Sequence, residues 1–193
     1  MKSEKISGKD LINVGIYAAL YCLLMTVVSF IGFVPILMPF IGIVAPLICA
    51  TPLMLFITKT DKFGPLTIFG LLVGAVLWIT GMGYWPFIFA VILAPIADAI
   101  CKSGNYKSVK KTILASGVFH TIFFGCMVPL YLDIETYFAA RPDFGAEYAA
   151  QLAAVVQPWT APVLLIGGFA AGCAGAWIGI KLLKKHFLKA GIA

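Results

Sequence analysis

The sequence predicts an all-α membrane protein, a single transmembrane domain over residues 1–193 built as a bundle of six transmembrane helices with both termini cytoplasmic. The first observation is composition: hydrophobic residues make up 62% of the 193 residues, charged residues only 11%, and the mean hydropathy is +1.02. Soluble domains are about half apolar and a quarter charged. A fold in water could not bury so much apolar surface, so a lipid bilayer is the expected solvent. The other two observations are the length of the uncharged stretches and the placement of the lysines.

Six stretches have the length that a helix needs to cross about 30 Å of hydrocarbon, roughly 20 residues. They run from Leu11 to Phe33, Pro35 to Thr58, Phe63 to Thr80, Tyr84 to Cys101, Thr112 to Leu132 and Trp159 to Ile180. Barrel strands would require an alternation of apolar and polar residues, which these stretches lack. An even number of spans places both termini on one side of the membrane.

The basic residues fix which side that is. Of the 14 lysines and arginines, all but Arg141 lie in the N-terminal segment, the loops at 59–62 and 102–111, and the tail from 181. The connection at 133–158, on the opposite side, carries Arg141 and four carboxylates. The positive-inside rule therefore assigns the lysine side to the cytoplasm. Lysines beside lipid headgroups also account for the net charge of +6, so we expect no nucleic-acid partner.

The first and second spans carry local signals. Ser7 and Asp10 have the spacing of a capping box, which predicts a helix start just before Leu11. The second span contains four prolines and a glycine, and prolines remove helix hydrogen bonds, so we expect a bent or broken helix that either lines a cavity or is a structural kink. These residues are Pro35, Pro39, Gly42, Pro46 and Pro52.

Small residues at four-residue spacing predict close helix packing. On the last span they form a ladder, which should be buried against a neighbouring helix: Gly167, Ala171, Gly175 and Gly179, with Gly168, Gly172 and Ala176 beside it. Gly15 and Ala19 form a second pair on the first span, near the cytoplasmic side, where the helix of a partner protein could pack.

Two further elements are expected near the membrane surfaces. Asp98, the one carboxylate inside a span, precedes Lys102 by four residues and is expected to form an ion pair with it; a polar latch to a partner protein is the alternative. In the outer connection, apolar residues recur at helical spacing and predict an amphipathic helix, either a lid or a helix resting at the interface. They are Phe144, Tyr148, Leu152 and Val155.

Catalytic motifs are missing from the sequence. It contains no GxxxxGK[ST] phosphate-binding loop and no HExxH, and "GMGYWP" (81–86) lacks the third glycine of a dinucleotide loop. Neither serine within the spans, Ser29 or Ser116, has His and Asp partners at triad spacing. We therefore expect no enzyme activity, no cofactor and no metal, and no ATP hydrolysis by this chain alone. The five cysteines show no CxxC pairing and are expected to be apolar fillers.

His120, in "GVFHTIFFGC" (117–126), is the one titratable ring among apolar and small residues of the fifth span. A charged imidazole near mid-bilayer would be unfavourable, so we expect the neutral ring, with one nitrogen donating and the other accepting a hydrogen bond. The ring contacts a ligand or forms an interhelical hydrogen bond, and the sequence leaves both possibilities open.

Aromatic residues and methionines at the outer ends of spans three to six are the other candidates for a substrate pocket. "WITGMGYWP" (78–86) places three aromatics and a thioether around two glycines, although an interfacial aromatic belt is the alternative. With Arg141 as the only outer cation, an uncharged or weakly charged planar micronutrient is favoured over a polyanion. His120 with the methionines leaves room for a tetrapyrrole such as haem, without paired-ligand spacing to support it. The candidates besides His120 are Trp78, Met82, Tyr84, Trp85, Met127, Tyr131, Tyr137 and Trp159.

Four stretches resemble the Trep_Strep family of bacterial integral membrane proteins. They are "KDLINVGIYAALY" (9–21), "GFVPILMPF" (32–40), "ADAICKSGNYKSVKKTIL" (97–114) and "KLLKKHFLKAGIA" (181–193), the third containing Gly104, Asn105, Tyr106 and Lys107. These proteins are regarded as substrate-binding S components of energy-coupling factor (ECF) transporters in the bacterial cell membrane. The resemblance implies a subunit that captures a vitamin-like molecule outside and topples in the membrane to release it inside.

The same resemblance implies partners: a T component and two ATPase subunits that supply the energy. S components typically contact the T component through small residues of the first helix, and Gly15 and Ala19 are the matching positions, although alanine is more usual at the first. A stand-alone secondary carrier or channel is the alternative function. Such proteins usually show charged or polar relays inside their spans, and these are absent from the sequence.

Overall fold

The computed structural model describes residues 5–182 and 184, and in that range the chain is helical, without strands. The α-helices are α1 (Gly8–Ser29), α2 (Ile41–Ile57), α3 (Pro65–Leu77), α4 (Trp85–Ser103), α5 (Val109–His120), α6 (Val128–Leu132), α7 (Ile134–Ala139), α8 (Gly145–Val155) and α9 (Thr160–Leu182). Shorter 3₁₀ segments cover Phe30–Phe33, Pro35–Phe40, Thr121–Cys126 and Pro142–Phe144, and a π-helical turn covers Trp78–Met82.

Five helical segments of the described chain are long and apolar enough to cross a membrane. They are Gly8–Phe33, Pro35–Ile57, Pro65–Met82, Trp85–Ser103 and Thr160–Leu182. The remaining expected span, the fifth (Thr112–Leu132), is helical in pieces: α5 ends at His120, a 3₁₀ segment follows, and α6 begins at Val128. Within that segment, a Cβ on Gly125 would lie 2.7 Å from the Cα of Pro86, so the chain there packs directly on the backbone of α4.

The N-terminus of α1 is capped as the sequence predicts. The Ser7 hydroxyl oxygen accepts a hydrogen bond from the Asp10 N–H at 3.3 Å, and the Ser7 N–H donates to the Asp10 carboxylate at 2.7 Å. Lys62 forms an ion pair with Asp10 at 3.1 Å. The start of α1 and the loop between α2 and α3 therefore lie at the same end of the bundle.

The second span is broken, as its prolines predict, but the break lies at its beginning. Residues Pro35–Phe40 form a 3₁₀ helix, and α2 then runs from Ile41 through Pro46 and Pro52 without interruption. Because Pro46 has no N–H, the Gly42 carbonyl lacks its usual helical donor. That carbonyl lies against α9, where a Cβ on Gly168 would be 2.9 Å from it.

The glycine ladder of α9 is buried, which confirms the prediction from its spacing. A Cβ on Gly175 would lie 2.7 Å from both the Pro46 and the Leu47 carbonyl oxygens of α2. A Cβ on Gly172 would lie 3.0 Å from the Ser116 carbonyl oxygen of α5. Helix α9 therefore packs against α2 and α5 at backbone contact, and the centre of the bundle lies between these helices, α1 and α3.

The outer connection contains the expected amphipathic helix, α8, preceded by α7. Leu152 of α8 is completely buried, in a second apolar cluster that we call the outer cluster. The buried members of the outer cluster are Met127, Leu130, Tyr137, Leu152 and Val156. Two side chains attach the connection to other loops: the Tyr148 hydroxyl donates to the Gly32 carbonyl at 2.5 Å, and Arg141 donates to the Gly81 carbonyl at 2.6 Å.

Candidate functional site

His120 is the last residue of α5 and is almost completely buried, with 1% of its surface exposed. Its Nδ1 atom lies 2.8 Å from the carbonyl oxygen and 3.2 Å from the hydroxyl oxygen of Ser116, one turn earlier. The Ser116 hydroxyl in turn donates to the Gly172 carbonyl of α9 at 2.9 Å. The side chain of His120 is thus held in place through the interface of α5 and α9.

These contacts decide which ring nitrogen carries the proton. A carbonyl oxygen can only accept, so the short contact to the Ser116 carbonyl requires Nδ1 to donate. A neutral imidazole has a single N–H, and Nε2 is therefore left with a lone pair, an acceptor. No described residue donates to that lone pair.

A cluster of aromatic rings surrounds the histidine, and we call it the ring cluster: Tyr21, Phe69, Phe119, His120 and Phe123. The centroid of the His120 ring lies 5.9 Å from that of Tyr21, 5.6 Å from that of Phe119 and 6.2 Å from that of Phe123. Tyr21 also meets Phe69 edge-on at 5.5 Å. Offset and edge-on contacts of this kind stabilise a fixed arrangement of rings.

Tyr21 belongs to α1 and is completely buried, and its hydroxyl, like His120 Nε2, has no hydrogen-bond partner among the described residues. A buried polar group without a partner costs about 1–3 kcal/mol of stability. These are the two buried side-chain polar atoms of residues 5–182 and 184 that are left in this state, and they belong to adjacent rings. Tyr21 was not among the site residues predicted from the sequence. The available signal was its position in the middle of an apolar span, since membrane tyrosines usually lie at the interface.

Three of the other candidates lie in or beside the outer cluster. Met127 and Tyr137 are buried there, and Tyr131 packs against them. The Tyr131 ring stacks on Phe124 at 6.1 Å, and its hydroxyl lies 2.7 Å from the hydroxyl oxygen of Thr160. The 3₁₀ segment Thr121–Cys126 separates these residues along the chain from His120.

The remaining candidates are more exposed. Trp78 and Tyr84 are each 51% exposed and Trp159 is 70% exposed, so the structure does not gather them with His120. Trp85 stacks on Tyr84 with 5.3 Å between centroids, and Met82 packs against the edge of the main core. The exposed aromatics fit the alternative that the sequence left open, an interfacial belt.

The glycines of "GMGYWP" adopt an unusual backbone conformation. Gly81 has φ +92° and Gly83 has φ +81°, values that side-chain-bearing residues rarely adopt. The conformation leaves the Gly81 carbonyl as an acceptor for Arg141, whose guanidinium also lies 3.9 Å from the centroid of the Tyr137 ring. Arg141 thus links the connection at 133–158 to the turn between α3 and α4.

The expectation for Asp98 was wrong. Instead of an ion pair with Lys102, its carboxylate accepts hydrogen bonds from the Gly64 N–H at 2.8 Å, the Thr67 N–H at 3.0 Å and hydroxyl at 2.9 Å, and the Tyr106 hydroxyl at 2.5 Å. Lys102 lies over the Phe63 ring at 5.6 Å. Gly64 occupies the N-cap position of α3 and has no side chain to cap that helix, so Asp98 supplies the cap from α4.

Tyr106 gives the Gly104–Lys107 loop a structural role. Asn105 and Tyr106 both have positive φ, 51° and 56°, and this conformation brings the Tyr106 hydroxyl to Asp98. Burial, followed by the hydrogen bond to Asp98, raises the pKa of Tyr106 well above its usual value, so the hydroxyl stays protonated and donating. Asp98 is completely buried and both of its oxygens accept hydrogen bonds from within the chain, so it is not exposed to a partner protein here.

The small pair of α1 lies on the outside of the molecule. Gly15 and Ala19 are both exposed, and a Cβ on Gly15 would meet nothing within 4 Å. Large apolar side chains flank them on the same helix, with Ile12 63% and Ile16 60% exposed. The buried residues Val14, Ala18 and Tyr21 occupy the opposite face of α1.

A family model described as "hypothetical bacterial integral membrane protein (Trep_Strep)" matches residues 8–189 of this chain. The chain belongs to the Trep_Strep family. No curated protein and no solved structure matches it. The Trep_Strep protein is therefore an integral membrane protein with several membrane-spanning helices, and the family description adds no activity. Most of the terminal stretch 181–193, one of the parts that carried the resemblance, lies outside the described residues.

The groups brought together around His120 in this Trep_Strep protein are uncharged or aromatic. Within residues 5–182 and 184, no three His, Cys, Asp or Glu side chains come together, and the five cysteines are free. His120 is the only histidine of that range. The ring cluster instead offers flat apolar faces, one nitrogen acceptor and one hydroxyl.

Proposed function

We propose that this Trep_Strep protein is the S component of an ECF transporter, the subunit that captures a micronutrient outside a bacterial cell and delivers it through a T component and two ATPases. The observation that carries the proposal is the exposed pair Gly15 and Ala19 on α1. Small residues allow two membrane helices to approach at backbone distance, and that contact drives helix association in lipid.

The chain lacks the groups that a self-sufficient carrier needs to drive transport, and this favours a subunit of a larger transporter. Its sequence has no phosphate-binding loop, so ATP must be hydrolysed elsewhere. The only charged side chain buried in the described part of the chain is Asp98, and it accepts hydrogen bonds from Gly64, Thr67 and Tyr106. An ion-coupled carrier needs ionisable groups that change partners within the membrane.

The contacts at the two ends of the bundle support the proposed orientation. At one end, Lys62 reaches Asp10 and the carbonyl of Lys5, and Asp98 joins the start of α3 to the Gly104–Lys107 loop. The described lysines of 5–9, 59–62 and 102–111 thus share that end, which we assign to the cytoplasm. The residues 30–34, 78–84 and 133–158 meet at the other end.

The outer end has the construction expected of a substrate entrance. Helix α8 and the preceding turn are attached by two side chains, Tyr148 to Gly32 and Arg141 to Gly81, and both acceptors are backbone carbonyls. Opening such a segment breaks these two hydrogen bonds and separates the apolar contacts of the outer cluster, which is the motion required of a lid. In this proposal α7 and α8 open to admit the substrate towards Met127 and His120.

Co-expression with a T component and its two ATPases tests the assignment. A tagged wild-type chain is expected to purify with all three subunits from detergent-solubilised membranes, and uptake in whole cells should require the ATPases. Uptake that the lone chain drives from an ion gradient, with no co-purification of the other subunits, would show a secondary carrier instead.

A further inference from the structure

We propose that the Tyr21 hydroxyl and His120 Nε2 are the polar anchor of a binding site inside the bundle, and that this site takes an uncharged planar molecule with a hydrogen-bond donor and an acceptor on the same edge, such as a lactam or a primary amide. The inference rests on the proposed function, because it names the class of molecule that the protein would capture. It adds Tyr21 of α1 to a site that the sequence placed on the later helices.

Two buried polar atoms without hydrogen-bond partners among the described residues lie on neighbouring rings. Buried side-chain polar atoms are nearly always hydrogen-bonded, and exceptions call for an explanation. In the described chain the exceptions are the Tyr21 hydroxyl and His120 Nε2, and their rings are neighbours at 5.9 Å between centroids. One small guest is assigned to both atoms because their rings are adjacent.

The two atoms differ in whether they can donate a hydrogen bond. Nδ1 of His120 donates to the Ser116 carbonyl, so Nε2 can only accept. A tyrosine hydroxyl donates one hydrogen bond and also accepts. The matching guest therefore presents an N–H or O–H to Nε2 and an oxygen or nitrogen acceptor to Tyr21. An N–H beside a C=O, the edge of a lactam or amide, supplies both.

The surroundings of the two atoms favour a guest that is uncharged and planar. The phenyl rings that contact the pair are those of Phe69, Phe119 and Phe123, and none of them can balance a charge. A charged guest would lose its hydration without a counter-ion, so an uncharged one is favoured. Flat apolar faces favour a planar guest, which contacts them with a large part of its surface.

The site also lies on the helix that carries the proposed partner surface. Tyr21 belongs to the buried face of α1, and Gly15 and Ala19 belong to its exposed face. A guest bound between Tyr21 and His120 would join α1 to α5. Capture of the guest and contact with the partner would then use opposite faces of one helix.

The test uses two small probes and the full-length protein in detergent. The probe 2-pyridone carries an N–H and a C=O on one edge, and N-methyl-2-pyridone has the same ring and carbonyl without the donor. Saturation-transfer NMR titrations give the affinity of each. The expected result is that wild-type protein binds 2-pyridone about tenfold more tightly than the N-methyl analogue, because Nε2 is satisfied only by the first.

Three variants accompany the titrations. Tyr21→Phe removes the hydroxyl and keeps the ring, and His120→Asn removes the acceptor at Nε2 while its amide can still donate towards Ser116; each should weaken 2-pyridone binding about tenfold. Tyr17→Phe is the matched control, because Tyr17 lies one turn earlier on α1 and packs on Phe56 at 6.1 Å between centroids, outside the ring cluster. Its affinity should stay within about twofold of wild type.

Equal binding of the two probes, absence of 2-pyridone binding, or unchanged affinity in Tyr21→Phe would overturn the inference, and a buried water would then be the guest of the pair. Tyr21→Phe keeps the test decisive if His120→Asn does not fold. Failure here is distinguishable from failure of the proposed function. A chain that assembles with the T component and ATPases but ignores 2-pyridone contradicts this site alone.

Discussion

Two faces of this molecule carry the same sequence pattern, small residues four apart on a membrane helix, and the structure uses them differently. On α9, Gly175 has no space at all, because a Cβ there would lie 2.7 Å from two carbonyl oxygens of α2. On α1, Gly15 faces open space, with nothing within 4 Å of a Cβ. The spacing of small residues therefore predicts close packing without saying whether the partner helix belongs to the same chain.

We therefore expect the buried small residues of α9 to matter for folding and the exposed pair of α1 to matter for assembly with a partner. The α9 ladder holds α2, α5 and α9 together, and substitutions there should be felt in stability. The α1 pair is exposed, and a Cβ on Gly15 meets nothing within 4 Å, so larger residues there should weaken contact with a partner without a loss of stability in the isolated protein. The following substitutions test this separation, in order of decreasing effect.

Gly175→Leu is expected to have the largest effect. The new side chain would collide with the backbone of α2 at Pro46 and Leu47, which cannot yield as a flexible side chain does. Overpacking of this kind costs about 3 kcal/mol or more. Thermal unfolding in detergent should show a large loss of stability or no folded protein, and a folded, wild-type-like protein would refute the packing of α9 on α2.

Gly168→Ala should have an intermediate effect. One added methyl group would lie 2.9 Å from the Gly42 carbonyl, and relief requires a small shift of α9 away from α2. The expected loss is about 1–3 kcal/mol, measured by the same unfolding assay. A gain in stability would mean that the two helices are further apart than described.

Gly15→Ala should have the smallest effect, and of the opposite sign. The added methyl group meets no atom of the chain, and alanine is the better helix former. The expected change is a gain of between zero and about 1 kcal/mol. A measurable loss of stability would show that Gly15 is packed within the isolated protein.

Much of the fold could be predicted because hydropathy and charge are properties of long segments. The capping box at Ser7, the break in the second span and the helix at 145–155 were all readable from local patterns. The fifth span was harder: its hydropathy is continuous from Thr112 to Leu132, and its helix is interrupted by the close approach of Gly125 to Pro86, a contact between residues 39 positions apart.

The candidate site was less predictable, because side-chain environments depend on tertiary packing. His120 was identified as an isolated imidazole, but its partner Tyr21 lies on a helix that only folding brings near. The aromatic residues at the predicted outer ends of the spans were recognisable in the sequence, but the sequence did not show which of them face the interior. Trp78, Tyr84 and Trp159 lie largely exposed. Asp98 was predicted to form an ion pair with Lys102, four residues later. In the structure its carboxylate instead accepts hydrogen bonds from N–H groups at the N-terminus of α3.

The most direct test of the account is assembly of the double variant Gly15→Leu, Ala19→Leu with the T component and ATPases. Gly42→Leu is the matched control, since a Cβ on Gly42 also meets nothing within 4 Å but that residue lies on α2. The account predicts that the double variant folds with wild-type thermal stability and no longer co-purifies with the T component, while Gly42→Leu co-purifies normally. Normal co-purification of the double variant would contradict it, and so would a loss of folding in the isolated protein.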